Sequence, residues 1–320
     1  PSSWKELSSG GALRGAGHQL ELSAQFGSER SRYRIRFYNP AVWNSDYSFG
    51  TELYRRSLIR DEYEESREGM NASVGRQITQ DSDVRIKGGY ENIEMDDVDD
   101  DAATIIKQDK GSYGKPYVEL SYGIDTRGDE RVPKSGYLTR TSLEVSGGDI
   151  DSVKLSLKGR KYWTVTEGEE WGRHVFSLGG RATVLEDYGD RIPVAEKLFA
   201  GGMSTLRGFD YRGVSPADPA TENQIGGKSL LIGSAQYSIP VGSEEFRVHT
   251  FMDAGYVESN TWDVLSGWDV LRASTGVGFR WQAPILGGSS LGIDLAFPLM
   301  QEEEDETRTI HFSMGAFRTF

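Results

Sequence analysis

The stretch "AGGMSTLRGFDYRGVSP" (Ala200–Pro216) decides how this chain is read. It is too long for a turn and too irregular for a strand. Glycines, two arginines, two aromatics and a proline surround an "LRGF" core. A chain built of alternating strands needs a reason to carry such a loop.

On either side the hydrophobic period is two. "QLELSAQF" sets Leu20, Leu22, Ala24 and Phe26 against Gln19, Glu21, Ser23 and Gln25. "SVKLSLKG" sets Val153, Leu155 and Leu157 against Lys154, Ser156 and Lys158. "LLIGSAQYSI" sets Leu231, Gly233, Ala235, Tyr237 and Ile239 against Ile232, Ser234, Gln236 and Ser238. Strict alternation is the signature of a strand with two unlike faces. About fourteen such segments recur, centred near 18–27, 31–39, 46–57, 69–79, 83–94, 115–125, 136–146, 152–164, 173–185, 228–239, 246–255, 271–282, 290–298 and 310–320. No segment reads as an amphipathic helix. No linker divides the chain, so residues 1–320 read as one domain.

The connections alternate too. "TQDS" and "PVGSEE" belong to a mostly short set, and the 187–227 loop, "EMDDVDDDAATIIKQDKGS" and "LMQEEEDETRT" to a mostly long one. Short turns on one rim and long loops on the other fit an all-β, transmembrane antiparallel meander barrel. Closure also removes the exposed edges of so many long strands. Mean hydropathy of -0.53 does not oppose this, since half of each strand faces a polar lumen. No run of ~18 apolar residues reads as a membrane helix. The opening "PSSWKELSSG" reads as the start of a mature fragment, not a signal peptide.

Composition excludes other classes. A net charge of -13 argues against a nucleic-acid partner. The absence of cysteine excludes a disulfide scaffold and a thiolate metal site. His18, His174, His249 and His311 show no metal-ligand spacing, and no G-x-S-x-G elbow or phosphate loop occurs. We expect no catalytic residue, metal or cofactor. The acidic runs "EMDDVDDD" (Glu94–Asp101) and "EEEDE" (Glu302–Glu306) are expected to be hydrated loops. The sequon at Asn71 falls in a strand and is discounted.

"EKLFAGGMSTLRGFDYRGVSP" resembles the hallmark of the BamA-like outer-membrane assembly and translocation superfamily. "GGKSLLIGSAQYSIPV" and "FMDAGYV" (Phe251–Val257) resemble the strands that follow it in that family. "DTRGDERVPKSGY" and "FYNPAVW" resemble its periplasmic turns, and "HFSMGAFRTF" its closing strand. The resemblance implies a sixteen-strand barrel with the long loop folded into the lumen. Two strands and the preceding periplasmic POTRA repeats are then expected to be missing at the N-terminus, with residues 1–13 resembling the turn into the family's third strand. It also makes Leu206, Arg207, Gly208 and Phe209 the anchor of the loop.

Parity places Asp253 and Gln236 on the lumen face, where Arg207 can meet them through a forked, charge-assisted contact. Gly208 allows a close backbone approach or a positive φ. Gln236 stands where the family usually has a glutamate, so Arg207 is expected to depend more on Asp253. In the closing strand, Phe312, Met314, Gly315 and the terminal Phe320 resemble the family's folding signal. Phe312, Met314, Ala316 and Phe320 share a lipid-facing parity on which Arg318 also falls, and Gly315 lies between.

The implied function is assembly of outer-membrane β-barrels through a lateral gate between first and last strands. The expected partners are unfolded clients, accessory lipoproteins and outer-membrane lipids. Alternatives are a two-partner secretion pore and the anchor of a fused patatin-like phospholipase. A passive porin is disfavoured by the loop.

Overall fold

A computed structural model describes residues 17–25, 27, 30–128, 133–168, 172–189, 191–283 and 289–315. Fourteen strands form one sheet in chain order, each hydrogen-bonded antiparallel to its neighbours. They are β1 (Gln19–Gln25), β2 (Arg30–Asn39), β3 (Tyr47–Ile59), β4 (Glu64–Thr79), β5 (Ser82–Asp96), β6 (Gly111–Asp125) and β7 (Gly136–Ser146). Then follow β8 (Ser152–Gly168), β9 (Gly172–Asp187), β10 (Ser229–Val241), β11 (Ser243–Glu258), β12 (Arg272–Ala283), β13 (Ser289–Met300) and β14 (Ile310–Gly315). Among the described residues β1 and β14 are not paired with each other.

The two faces differ as the alternation requires. Leu22, Leu53, Val74, Val118, Leu157 and Met252 are exposed on the outer face. Their strand neighbours on the other face include the buried Arg67, Lys115, Ser177, His249 and Asp253. This inversion, apolar outside and polar inside, fits a sheet whose solvent is lipid. Aromatic side chains gather on the outer face near the short-turn rim. Phe246 stacks on Trp281 with ring centroids 5.5 Å apart, and Trp163 on Phe176 at 5.7 Å. Such girdles sit at membrane–water interfaces.

The strands extend further at the long-loop end than the alternation suggests. β4 begins at Glu64 and β6 at Gly111, each several residues before the expected start. Those extensions are rich in charge and glycine, which hides the period. The expectation of no helix also needs correcting. A short helix, α1 (Thr104–Gln108), lies in the β5–β6 loop. It was invisible to periodicity because five residues give barely more than one turn.

α1 belongs to a small core over the long-loop rim. Tyr63, Ile93, Met95, Ala103, Ile106, Ile150, Val194 and Ala195 are all buried there. They come from four loops and the end of β5, so the loops form a packed cap.

Candidate functional site

The segment between β9 and β10 enters the lumen as a distorted hairpin. Leu198 and Gly227 exchange backbone hydrogen bonds, both 2.9 Å, and Ala200 and Val214 pair at 2.9 and 3.2 Å. Beyond these rungs the tip, residues 201–213, meets the wall.

Arg207 is 5% exposed and is surrounded by wall side chains. Its Nε donates to Asp253 Oδ2 at 2.7 Å and its Nη2 to Asp253 Oδ1 at 2.8 Å. This is the forked geometry for which guanidinium is suited. Its Nη1 donates to Gln236 Oε1 at 3.2 Å and to Asp294 Oδ2 at 3.3 Å, and its Nη2 to Ser234 Oγ at 3.3 Å. The guanidinium carbon lies 3.4 Å from the centroid of Phe251, a cation–π contact. Burial disfavours its charge, but Asp253 and Asp294 outweigh this and raise its pKa.

Gly208 follows with φ of +92°. A Cβ there would lie 3.1 Å from Ser274 Cβ on β12. The position therefore needs both the left-handed backbone and the missing side chain. Its N–H donates to His311 Nε2 on β14 at 3.0 Å, which places the neutral ring's proton on Nδ1. Leu206 and Phe209 are fully buried with Ala200, Val214, Leu230, Ile232 and Val257. Thus the tip carries its own apolar core against the inner faces of β10 and β11.

Two carboxylates reach Arg207, and sequence parity pointed to only one. Asp294 on β13 also binds both Arg280 terminal nitrogens, one at 2.7 Å, and lies 3.1 Å from His249 Nε2. Gly278 on β12 stands between His249 and Asp294 in the register. A Cβ at Gly278 would fall 2.0 Å from Asp294 Oδ1, so the glycine is the gap through which they meet. The charge absent at Gln236 is thus supplied from β13. The signal was available, since Asp294 alternates with Ile293 and Leu295.

The loop has a second attachment that the sequence reading missed. Glu196 closes a 3-10 turn, Val194–Glu196, and is buried. Its Oε1 accepts from Lys115 Nζ at 2.7 Å and Lys154 Nζ at 3.0 Å, and its Oε2 from Arg67 Nη1 at 2.9 Å. These cations come from β6, β8 and β4. Burial alone raises the Glu196 pKa, but the three cations outweigh it and hold the carboxyl well below its ordinary range. Arg212 ties the return arm to Glu65 at 2.7 Å.

The acidic run at 302–306 is only partly the hydrated loop expected. Glu302, Glu303 and Glu304 are exposed. Asp305, however, pairs with Arg272 at 2.9 Å, and Glu306 with Arg60 at 2.6 Å. The backbone after it runs beside the tip. Asp210 N–H donates to Glu306 O at 2.8 Å, Glu306 N–H to Gly213 O at 2.9 Å, and Arg308 N–H to Gly208 O at 3.0 Å. The anchored tip is thereby hydrogen-bonded to the segment that leads into β14. The run at 94–101 keeps its aspartates exposed. Among the described residues no group of His, Asp or Glu is arranged to hold a metal ion.

In the closing strand, Phe312 is 74% exposed on the outer face. Met314 and Gly315 pair in register with Leu291 and Ser290. Phe320 and Arg318 lie outside the described residues, so the terminal part of the proposed signal has no structural account.

Comparison with known proteins adds three findings. The Omp85 superfamily domain matches residues 13–317. Outer membrane protein assembly factor BamA of Nitratidesulfovibrio vulgaris strain Hildenborough is 28% identical over 317 residues, covering 95% of this chain and 38% of that protein. The BamA of Neorickettsia risticii strain Illinois is 26% identical over 324 residues, covering 94% of this chain and 41% of that protein. The chain therefore spans about two fifths of the length of these curated relatives. Among solved structures, BamA from Haemophilus ducreyi lacking POTRA domains 1-3 matches with a TM-score of 0.76 at 18% identity, over 95% of this chain and 65% of that one. CdiB from Acinetobacter baumannii matches with a TM-score of 0.62 at 13% identity, over 93% of this chain and 53% of that one. At such identities the structural matches speak for the fold alone.

Proposed function

This chain belongs to the Omp85 superfamily, and from that premise we propose that it is the membrane barrel of an outer-membrane protein assembly factor. It resides in the outer membrane, with the short turns toward the periplasm and the long loops outward. Its clients are unfolded β-barrel proteins. It folds and inserts them through a lateral gate between its first and last strands, and accessory lipoproteins assist it. No covalent chemistry is required. A strand edge templates an incoming strand by backbone hydrogen bonding.

The anchored loop is the observation that carries this reading. A passive pore needs an open lumen, whereas here Arg207 and Glu196 fasten a loop inside it. The tip also bonds to the segment entering β14. A plug joined to the closing strand couples the state of the lumen to the edge at which a client is received. In this proposal Leu206, Arg207, Gly208 and Phe209 are the anchor, Asp253 and Gln236 are wall partners, and Phe312, Met314, Gly315 and Phe320 form the folding signal.

The test is reconstitution of the full-length protein into liposomes with an unfolded client barrel. Insertion is followed by protease protection and by heat-modified gel mobility. The proposal expects faster insertion than into empty liposomes. No acceleration, with export of a partner polypeptide across the bilayer instead, would favour the secretion-pore reading. Release of fatty acid from the lipids would favour the phospholipase anchor.

A further inference from the structure

The chain is acidic, but its charge is segregated. Exposed carboxylates crowd the long-loop rim at Asp96, Asp97, Asp99 and Glu302–Glu304. The lumen wall below the loop holds opposed cations. Arg140 on β7, Lys158 on β8 and Arg181 on β9 are direct cross-strand partners on one face. Arg32 on β2 and Arg56 on β3 are partners in the same way. Like charges placed directly opposite destabilise a sheet. The wall keeps two such rows against its own stability.

Compensation is incomplete. Arg140 reaches Asp83 at 3.0 Å and Arg56 reaches Glu91 at 3.2 Å. Lys158 and Arg32 have no carboxylate within 4.0 Å among the described residues. Arg32, Arg56 and Arg181 line one cavity of about 1480 Å³ between the loop and the wall, and Arg160 of β8 lines it as well. Membrane lipid lies on the other side of the sheet. A single small anion occupies one point, whereas cations from both rows on one cavity, Arg181 of one and Arg32 and Arg56 of the other, suit a chain with carboxylates along its length. Low-dielectric walls strengthen the attraction.

We propose that this basic lumen wall binds acidic stretches of an unfolded client polypeptide through their Asp and Glu side chains, holding the chain in the lumen while its strands pair at the gate. The identity of the ligand as a client rests on the assembly reading above, but the binding can be measured without insertion.

The probe is a fluorescein-labelled poly-glutamate peptide, read by anisotropy on the full-length protein in nanodiscs. A poly-glutamine peptide of equal length is the comparison. The variant is Arg32→Gln with Arg181→Gln, one cation from each row, both of which line the cavity. Arg32→Lys with Arg181→Lys preserves the charge. We expect binding of the glutamate peptide, little binding of the glutamine peptide, and about tenfold weaker glutamate binding in the neutralised variant. The charge-preserving variant should bind like the wild type, and salt should weaken all of it. If gel mobility shows the double variant misfolded, Arg32→Gln alone should still lose about threefold.

Equal binding of the two peptides, or unchanged binding in a folded neutralised variant, overturns the proposal. Complete displacement by low-millimolar inorganic phosphate also overturns it, in favour of a point anion site. Normal client insertion together with unchanged peptide binding in the variant sinks this site and leaves the assembly function standing. Failed insertion by the wild type sinks the function and leaves the binding result readable.

Discussion

Arg207 is fastened by side chains from three strands, Ser234 and Gln236 on β10, Asp253 on β11 and Asp294 on β13. Asp253 gives it a two-pronged bond, and Asp294 reaches it from β13 because Gly278 leaves room. Three expectations follow at this scale. Gly278→Ala forces a methyl against Asp294 and should cost about 1–3 kcal/mol in detergent, measured by thermal loss of native gel mobility. Gly233→Ala, whose added Cβ meets nothing nearer than 3.9 Å, should stay within about 0.5 kcal/mol. Gln236→Glu should also change stability little, because Asp294 already supplies the second charge. A large stabilisation by that change would show that Asp294 is a poor substitute. Parity made the Asp253 and Gln236 positions legible in the sequence, since each alternates with apolar neighbours. Parity gave Asp294 the same lumen face, but its contact with Arg207 was not legible, because it depends on the gap at Gly278 on the strand between Asp294 and His249.

The loop as an element is held at two heights, by Arg207 near its tip and Glu196 on its descending arm. Glu196 accepts from Arg67, Lys115 and Lys154, so one carboxylate is tied to three strands. A carboxyl held below its ordinary pKa contributes its full stability above the unfolded value, about 4.3. That contribution is lost as the pH falls from there through the lower folded value. Acidification below about pH 4.3 should therefore free the descending arm, seen as new protease cleavage within 188–200. In Glu196→Gln the same cleavage should be present at neutral pH and show no such acid transition. Unchanged protection in both would remove Glu196 from the account. The length and irregularity of this loop were plain in the sequence, and so was its "LRGF" tip. Glu196 stood inside the same recognised stretch without a role. Nothing linear announces that residues 67, 115 and 154 converge on it, because that depends on the curvature of the sheet. α1 was hidden for a simpler reason, its single turn.

At the scale of the whole molecule, the alternation of strands and of loop lengths was enough to give the meander and all fourteen strands. It also predicts how the two faces respond to charge. Val74 faces outward and its neighbour Ser73 inward on β4. Val74→Arg should cost about 2–4 kcal/mol if its position is near the bilayer midplane. Ser73→Arg should be tolerated far better, and urea titration of the refolded protein in lipid vesicles compares them. The cap of packed loops and the tip's bonds to the β13–β14 segment had no such one-dimensional trace, since they join different loops far apart in the chain. Both bear on the central claim, that a loop clamped at Arg207 and Glu196 closes the lumen. Single-channel recording of the full-length protein in a planar bilayer tests it most directly. The account predicts a small, flickering conductance for the wild type and a large, steady one for Arg207→Ala combined with Glu196→Gln. A large, steady conductance in the wild type, or no change in the doubly substituted protein, would contradict it.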